Sequence, residues 1–341
     1  MARAAFTIGG VEVAPGGRKL VSLPMSALSN RTPMALPVCV IHGRRAGPTL
    51  FVSAASHGDE LTGVAICRRL LASKALKVAA GTLLMVPIVN AFGFISHSRY
   101  LPDRRDLNRS FPGSAKGSLA AQLANCFFKE VVLRSQFGID LHSAAIHRAN
   151  LPQIRVDTDK PDALRLARAF GAPIIVHSGL RESSLRAEAQ ARGIPVLVYE
   201  AGEGLRVDEL SVSVGMRGVL RVLAELGMIR APRRGRDPHS VLSTASRWVR
   251  AEESGLFRPF VDIGAEVTAG EVLGVVADPY GERETPIRAS IAGIVIGRAN
   301  IPAVNQGDAL FHIAKVEDAA GLGAELATLS REPVLDEDEI I

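Results

Sequence analysis

The stretch Ser53-Ala54-Ala55-Ser56-His57-Gly58-Asp59-Glu60-Leu61-Thr62-Gly63 decides how this chain is read. A short apolar run, Leu50-Phe51-Val52, leads into it, and an amphipathic run over residues 64–71 follows. The pattern is a strand, a tight turn and a helix start. The turn carries an imidazole, His57, and a carboxylate, Glu60. At this spacing both can converge on one side and offer a nitrogen and an oxygen to one zinc ion. A lone His-x-x-Glu has little weight, because such pairs are common on ordinary surfaces. Its company further along gives it weight: Asp106-Leu107-Asn108-Arg109, Asp140-Leu141-His142 and Tyr199-Glu200-Ala201-Gly202.

Working outward, residues 82–89 are nearly continuous apolar, as in a strand buried on both faces. Residues 137–141, 173–177 and 195–199 read as further strands. Helical patterns lie between them. One spans 118–134 with Ser118 as its cap, one opens at Asp159-Lys160-Pro161, one is capped by Ser183 or Ser184 and ends at Gly193, and one runs over 208–226 to Gly227. This alternation through residues 50–227 predicts an α/β fold with a mostly parallel sheet flanked by helices. Ligands of such sheets sit outside the carboxyl ends of the strands. His57, His142 and Glu200 each follow a strand directly, which places all three along one sheet edge. Upstream, residues 1–40 read as short strands, 37–42 as a strand and 43–48 as a turn. Residues 91–113 lose all periodicity and are rich in arginine, and long ordered loops of this kind tend to be functional.

With 341 residues the chain exceeds one ordinary core, so two domains are expected. Its 47% hydrophobic and 22% charged content is that of a soluble globular protein. No apolar run approaches the roughly 20 residues of a membrane span, and the N-terminus has no signal-peptide pattern. Cys39, Cys67 and Cys126 are scattered, which argues against a disulfide framework and for a reducing cytoplasm. The net charge of +5 comes from dispersed arginines without interleaved aromatics, so no nucleic-acid partner is expected. A diffuse positive surface suits a small anionic substrate.

Residues 230–244 are a polar, Pro- and Gly-bearing linker, and the texture then changes. Residues 245–315 show short β runs, with similar units at Val267-Thr268-Ala269-Gly270-Glu271-Val272 and Val304-Asn305-Gln306-Gly307-Asp308-Ala309. This resembles the pseudo-repeat of lipoyl and biotinyl domains and predicts a small all-β barrel-sandwich. No lysine occurs between Lys160 and Lys315, so attachment of a swinging prosthetic group is excluded. Such a domain would instead pack over the first one, cap its cleft or mediate homo-oligomer contacts. Residues 316–341 form an acidic tail, frayed or at the surface.

Taken together, the motifs resemble the succinylglutamate desuccinylase/aspartoacylase family of the zinc carboxypeptidase superfamily. The residues that carry the resemblance are His57-x-x-Glu60, Asn90, Arg99, Asp106-Leu107-Asn108-Arg109-x-Phe111-Pro112-Gly113, Asp140-Leu141-His142 and Glu200-x-Gly202, over residues 45–205. It implies a zinc-carboxypeptidase-like deacylase domain over residues 1–229, with residues 1–45 as N-terminal strands. By the same resemblance His57, Glu60 and His142 hold one Zn2+ per chain, with a position left open for water. Glu200 is the general base, with Glu203 as its rival. Arg99 stabilises the oxyanion, with Arg104 and Arg105 as rivals. Asn108 and Arg109 bind a substrate carboxylate, and Asp140 orients His142. Beyond the resemblance, the polar segment 146–155 directly after His142 suggests substrate recognition by Arg148, with His147 or Arg155 as companions, against the plainer reading of a solvated loop. The expected reaction is hydrolysis of the amide bond of a small anionic N-acyl amino acid or related N-acyl amine. A zinc carboxypeptidase acting on peptides, or a metal-binding homologue without activity, is the alternative.

Overall fold

The structure, a computed structural model, describes residues 3–27, 29–231 and 240–316, and residues 322, 323, 326 and 329. The middle of the expected linker, residues 232–239 with His239, and nearly all of the expected tail lie outside the described residues.

A hairpin of β1 (Phe6–Ile8) and β2 (Val11–Val13) precedes two long strands, β3 (Arg18–Ala27) and β4 (Pro33–His42). Strands and helices then alternate: β5 (Arg45–Ala54), α1 (Thr62–Ala72), β6 (Ala80–Val86), α2 (Ala91–Ile95), α3 (Leu119–Glu130), β7 (Phe137–His142), β8 (Arg148–Val156), α4 (Pro161–Phe170), β9 (Ile174–His177), α5 (Leu185–Gln190), β10 (Val196–Glu203) and α6 (Glu209–Glu225). The rest of the described chain is largely β: β11 (Val241–Arg250), β12 (Gly255–Pro259), β13 (Glu266–Val267), β14 (Val272–Ala277), β15 (Glu284–Arg288), β16 (Gly293–Ala299), β17 (Ala303–Val304) and β18 (Ala309–Val316). Among the described residues no helix is long and apolar enough to cross a membrane.

Twelve strands hydrogen-bond into one sheet, in the order β13-β16-β18-β11-β9-β8-β10-β7-β5-β6-β4-β3. Its centre, β10-β7-β5-β6, is parallel, as the helix–strand alternation predicts. The flanks are not: β8 runs antiparallel to β10, and β4 antiparallel to β6. Strand alternation splits the central residues between two cores. Leu50, Val52 and Ala54 face α1, α4 and α6, while Phe51 faces α3. The ring of Phe51 meets Phe127 edge to face at 5.9 Å. A Cβ at Gly138 would stand 2.2 Å from the Phe51 ring, so the close approach of β7 to β5 at this point requires glycine. Every residue of β6 is buried, in line with its unbroken apolar sequence.

Two segments differ from the sequence reading. The polar stretch after His142 is not a loop from Arg148 on; it is β8, paired with β10 and β9 and also with β16. Its apolar residues Ile154 and Val156 enter the helix-covered core. Its polar residues Asn150 and Arg155 face the site described below, and this masked the strand pattern. Residues 241–244, read as the end of a linker, begin β11, because Val241, Leu242 and Ser243 find an open parallel edge on Ile174, Ile175 and Val176 of β9. The rest of β11 then pairs antiparallel with β18. A second sheet, β15-β14-β12-β17, encloses an apolar core with Phe257, Leu273, Leu310 and Phe311.

Candidate metal centre and active site

The sheet's parallel register builds the site. Ser53 lies opposite Asp140 on β5 and β7, and His142 lies opposite Glu200 on β7 and β10. His57 and Glu60 follow from the turn between β5 and α1. The three expected ligands meet: Nδ1 of His57 lies 2.7 Å from Oε1 of Glu60, and Nδ1 of His142 lies 2.7 Å from Oε2. All three residues are buried, and their ligand atoms lie within 4.8 Å of one another.

The far side of each imidazole faces a carboxylate. His57 Nε2 is 3.1 Å from Asp106 Oδ1, and His142 Nε2 is 2.7 Å from Asp140 Oδ2. Acceptance of an Nε2–H by a carboxylate fixes the tautomer that leaves Nδ1 free as a lone-pair donor. Asp140 and His142 share a face because they are two apart on a strand, and Ser53 Oγ donates to the other oxygen of Asp140 at 2.7 Å. Asp106 caps the 3-10 turn Leu107–Arg109 by accepting from the Asn108 N–H at 2.8 Å. It also accepts from Arg99 Nε at 3.2 Å and Nη2 at 3.0 Å.

The donor set fits a zinc ion, with two neutral imidazole nitrogens, one carboxylate and supported outer nitrogens. Charge points the same way. Glu60, Asp106 and Asp140 surround the pair of imidazoles with Arg99 as the neighbouring cation, an excess of two negative charges that a divalent cation would match. This negative nest is visible in the titration of its members. Burial opposes charge on His57, yet Glu60 and Asp106 outweigh it and raise its pKa. Burial likewise opposes charge on His142, and Asp140 with Glu60 raises its pKa well above the usual value. Glu60 is held below the carboxylate range by both imidazoles against the opposing effect of burial.

Beside this centre is a cavity of about 270 Å³. Its lining includes His57, Glu60, Arg99, Asn108, Arg109, His142, Arg148 and Glu200, all singled out from sequence. Arg99 Nη1 lies 3.6 Å from Glu60 Oε1. Asn108 accepts from the Leu185 N–H through its side-chain oxygen at 2.9 Å. The rivals lie elsewhere. Arg104 and Arg105 are exposed and outside the cavity lining. Glu203 accepts from the His147 N–H at 3.1 Å and from Asn300 Nδ2 at 2.9 Å, also outside that lining.

Arg155, named from sequence as a companion of Arg148, lines the cavity and His147 does not, while Asn150, Arg181, Arg186 and Trp248 are lining residues that sequence reasoning missed. Asn150 Nδ2 donates to Glu200 Oε2 at 3.1 Å, and Arg155 Nη1 lies 3.5 Å from Glu200 Oε1, so both fix the carboxylate from β8. Arg186 is 8% exposed and donates through Nη2 to the carbonyls of Ser178 and Gly179, while its Nη1 is buried without a partner. Burial and the charge of Arg155 push its pKa down to about 10. Arg181 and Trp248 complete the wall, the latter from β11. Arg186 and Trp248 belong to no sequence motif, and only the fold brings them in.

A profile of the succinylglutamate desuccinylase/aspartoacylase catalytic domain matches residues 46–226, more than half of the chain. The N-alpha-acetyl-L-2,4-diaminobutyric acid deacetylase of Halomonas elongata is 29% identical over 299 residues, covering 84% of this chain and 87% of that protein. The product-bound structure of the ectoine utilization protein EutE (DoeB) from Ruegeria pomeroyi is 25% identical with a TM-score of 0.78, covering 87% of this chain and 94% of that one. A succinylglutamate desuccinylase/aspartoacylase structure from Rhodobacter sphaeroides is 26% identical with a TM-score of 0.80, covering 92% of this chain and 100% of that one. The chain belongs to the succinylglutamate desuccinylase/aspartoacylase family.

Proposed function

We propose that this chain is a zinc-dependent hydrolase of the amide bond in a small N-acyl amino acid or related N-acyl amine. The observation that carries the reading is the meeting of His57, Glu60 and His142 beside Glu200, at the wall of a small arginine-lined cavity. The relative from Halomonas elongata, named as a deacetylase of an N-acetylated diamino acid, supports acyl removal from nitrogen. His57, Glu60 and His142 would hold one Zn2+ per chain. Zinc bound by such a set acidifies water and polarises a carbonyl. Glu200, aimed by Asn150 and Arg155, takes the proton of the attacking water and passes it to the leaving nitrogen. Arg99 faces the oxygen on which negative charge grows as water adds to the acyl carbon, a contribution of about 3–4 kcal/mol for a preorganised donor. Arg109 offers its planar fork, and Asn108 its –NH2, to the substrate carboxylate. Arg148 is a further contact to the substrate.

A cavity of about 270 Å³ suits a small molecule better than a peptide. The C-terminal strands, with two facing sheets and a shared core, are read as a lipoyl-like barrel-sandwich that closes the cavity and does not carry a prosthetic group. The unpaired Cys39, Cys67 and Cys126 suit a reducing cytoplasm. The test is amine release from N-acetyl, N-succinyl and N-formyl amino acids and diamines, by metal-free protein with and without added zinc. Zinc-restored release from any member is the expected result. Activity confined to C-terminal peptide bonds would replace this reading with a carboxypeptidase. No release from protein that binds zinc tightly would leave only a metal-binding homologue.

A further inference from the structure

The hydrogen bond from Asn150 Nδ2 to Glu200 Oε2, at 3.1 Å, depends on how the Asn150 carboxamide is turned. Asn150 is 8% exposed and sits between two other strands. On one side it is the cross-strand partner of Gly202 on β10, where the register shifts just after Glu200. On the other it is the partner of Gly297 on β16. Gly297 lies opposite His312 on β18, and His312 lies opposite Trp248 on β11. Asn150, Gly297, His312 and Trp248 thus form one row across four strands. Within this row Gly297 alone has no side chain.

The gap in the row is filled by the carboxamide of Asn150. A Cβ at Gly297 would stand 2.9 Å from Asn150 Oδ1, 3.3 Å from His312 Cβ and 3.4 Å from the Ala149 carbonyl oxygen. A non-bonded carbon and oxygen keep about 3.3–3.6 Å apart, so only the first contact is too close. The φ of Gly297 lies outside the left-handed region, so its backbone conformation does not call for glycine. A carboxamide has one accepting and one donating end. With the oxygen lodged over Gly297, the –NH2 is turned to Glu200. The backbone of Gly297 is paired on both sides, and β16 cannot withdraw without breaking its ladders to β8 and β18. A side chain at 297 would therefore displace the carboxamide, which ends a flexible side chain.

We propose that Gly297 is a positioning residue for the general base: its missing side chain seats the Asn150 carboxamide in the orientation that fixes Glu200. The C-terminal strands then do more than close the cavity. They reach the proton-transfer step from outside the cavity lining, through one buried amide. The inference rests on the role of Glu200 in the deacylase reading and goes beyond it. A carboxylate free to turn from the attacking water loses part of the advantage of fixed geometry.

The test is a double-mutant cycle in the zinc-loaded full chain, with crystal structures of the wild type and Gly297→Ala. The substrate is whichever N-acetyl, N-succinyl or N-formyl amino acid or diamine the wild type hydrolyses. Asn150→Ala is expected to lower kcat by about 10–100-fold with KM within about threefold, as for one lost hydrogen bond to a charged group used in the chemical step. Gly297→Ala is expected to lower kcat about tenfold, again with KM held. The double mutant is expected to match Asn150→Ala within about twofold, because no carboxamide remains to be displaced. A disturbance carried by His312 or Ala149 would instead be the same in both backgrounds. Additive losses, or wild-type kcat in Gly297→Ala, overturn the proposal. If Gly297→Ala does not fold alone, recovery of the fold in the double mutant supports the contact, and failure of both overturns it. The crystal structures read the seat without turnover. In Gly297→Ala the Asn150 amide is expected out of hydrogen-bond reach of Glu200, and a retained bond overturns the proposal. If no substrate is hydrolysed, the deacylase reading fails, and the structures alone decide whether Gly297 seats Asn150 against Glu200.

Discussion

Replacement of Asp140 by Asn should weaken zinc binding by an amount that the geometry allows to be worked out. Asp140 is 1% exposed, and both its oxygens are in use, one 2.7 Å from His142 Nε2 and the other accepting from Ser53 Oγ at 2.7 Å. Asn is isosteric and can keep its oxygen on His142. Its –NH2 then faces Ser53 Oγ, whose hydroxyl can turn to accept. No partner is lost, so the change isolates the charge. A hydrogen bond to a charged group contributes about 1.5–3 kcal/mol and a neutral one about 0.5–1.5, a difference of about 1–2 kcal/mol. That corresponds to zinc binding weaker by about 5–30-fold. The assay is competition with a chromophoric zinc chelator. Asp140 also favours the His142 imidazolium of the metal-free protein, so the deficit should widen as pH rises and proton competition fades. Affinities of wild type and Asp140→Asn within twofold of each other across the pH range would refute the argument that this carboxylate holds His142 as a donor.

Glu200→Gln should lower kcat by about 10²–10⁴-fold, with zinc affinity in the same competition assay unchanged within about threefold because Glu200 is not among the converging ligands. Gly58→Ala should disrupt the turn between His57 and Glu60, since its Cβ would stand 1.8 Å from the Gly93 carbonyl carbon. A loss of about 3–5 kcal/mol is expected in urea unfolding, together with weaker zinc binding. His312, with its pKa down from 6.5 to about 3, should make the fold acid-sensitive. The unfolded chain binds the extra proton between those values, so the contribution is fully present above pH 6.5 and is lost as pH falls towards about 3. The slope is about 1.4 kcal/mol per pH unit. His312→Phe should remove that slope from urea titrations run across this window.

The candidate metal centre was legible because its chemistry is local. His57 and Glu60 share one turn, and His142 and Glu200 each end or follow an apolar strand run whose parallel pairing could be anticipated. The opposite wall was not legible. Asn150 was not singled out, and Arg155 was named as a substrate contact and not as a strand residue beside Glu200, because polarity reads as loop in a one-dimensional pattern. They are tolerated in β8 because Glu200 and the cavity accept their side chains. Arg186 sits at the start of the short helix α5, where an arginine is unremarkable, and its burial depends on the carbonyls of Ser178 and Gly179. Trp248 lies far along the chain from every motif and reaches the cavity only through β11. The boundary at residues 241–244 was missed for a related reason. A Pro/Gly-bearing stretch just before them masked a strand whose partner, β9, is distant in sequence.

The passage of β11 from β9 to β18, together with the contact of β16 with β8, has a consequence for how the molecule comes apart. Among the described residues, no seam exists along which the two halves can separate without stripping N–H and C=O groups from β8 and β9. The described chain should therefore melt in one cooperative step, although its cores are built so differently. A fragment ending before β11 would not be a smaller enzyme. It would present raw strand edges to its neighbours, and its fate would be self-association.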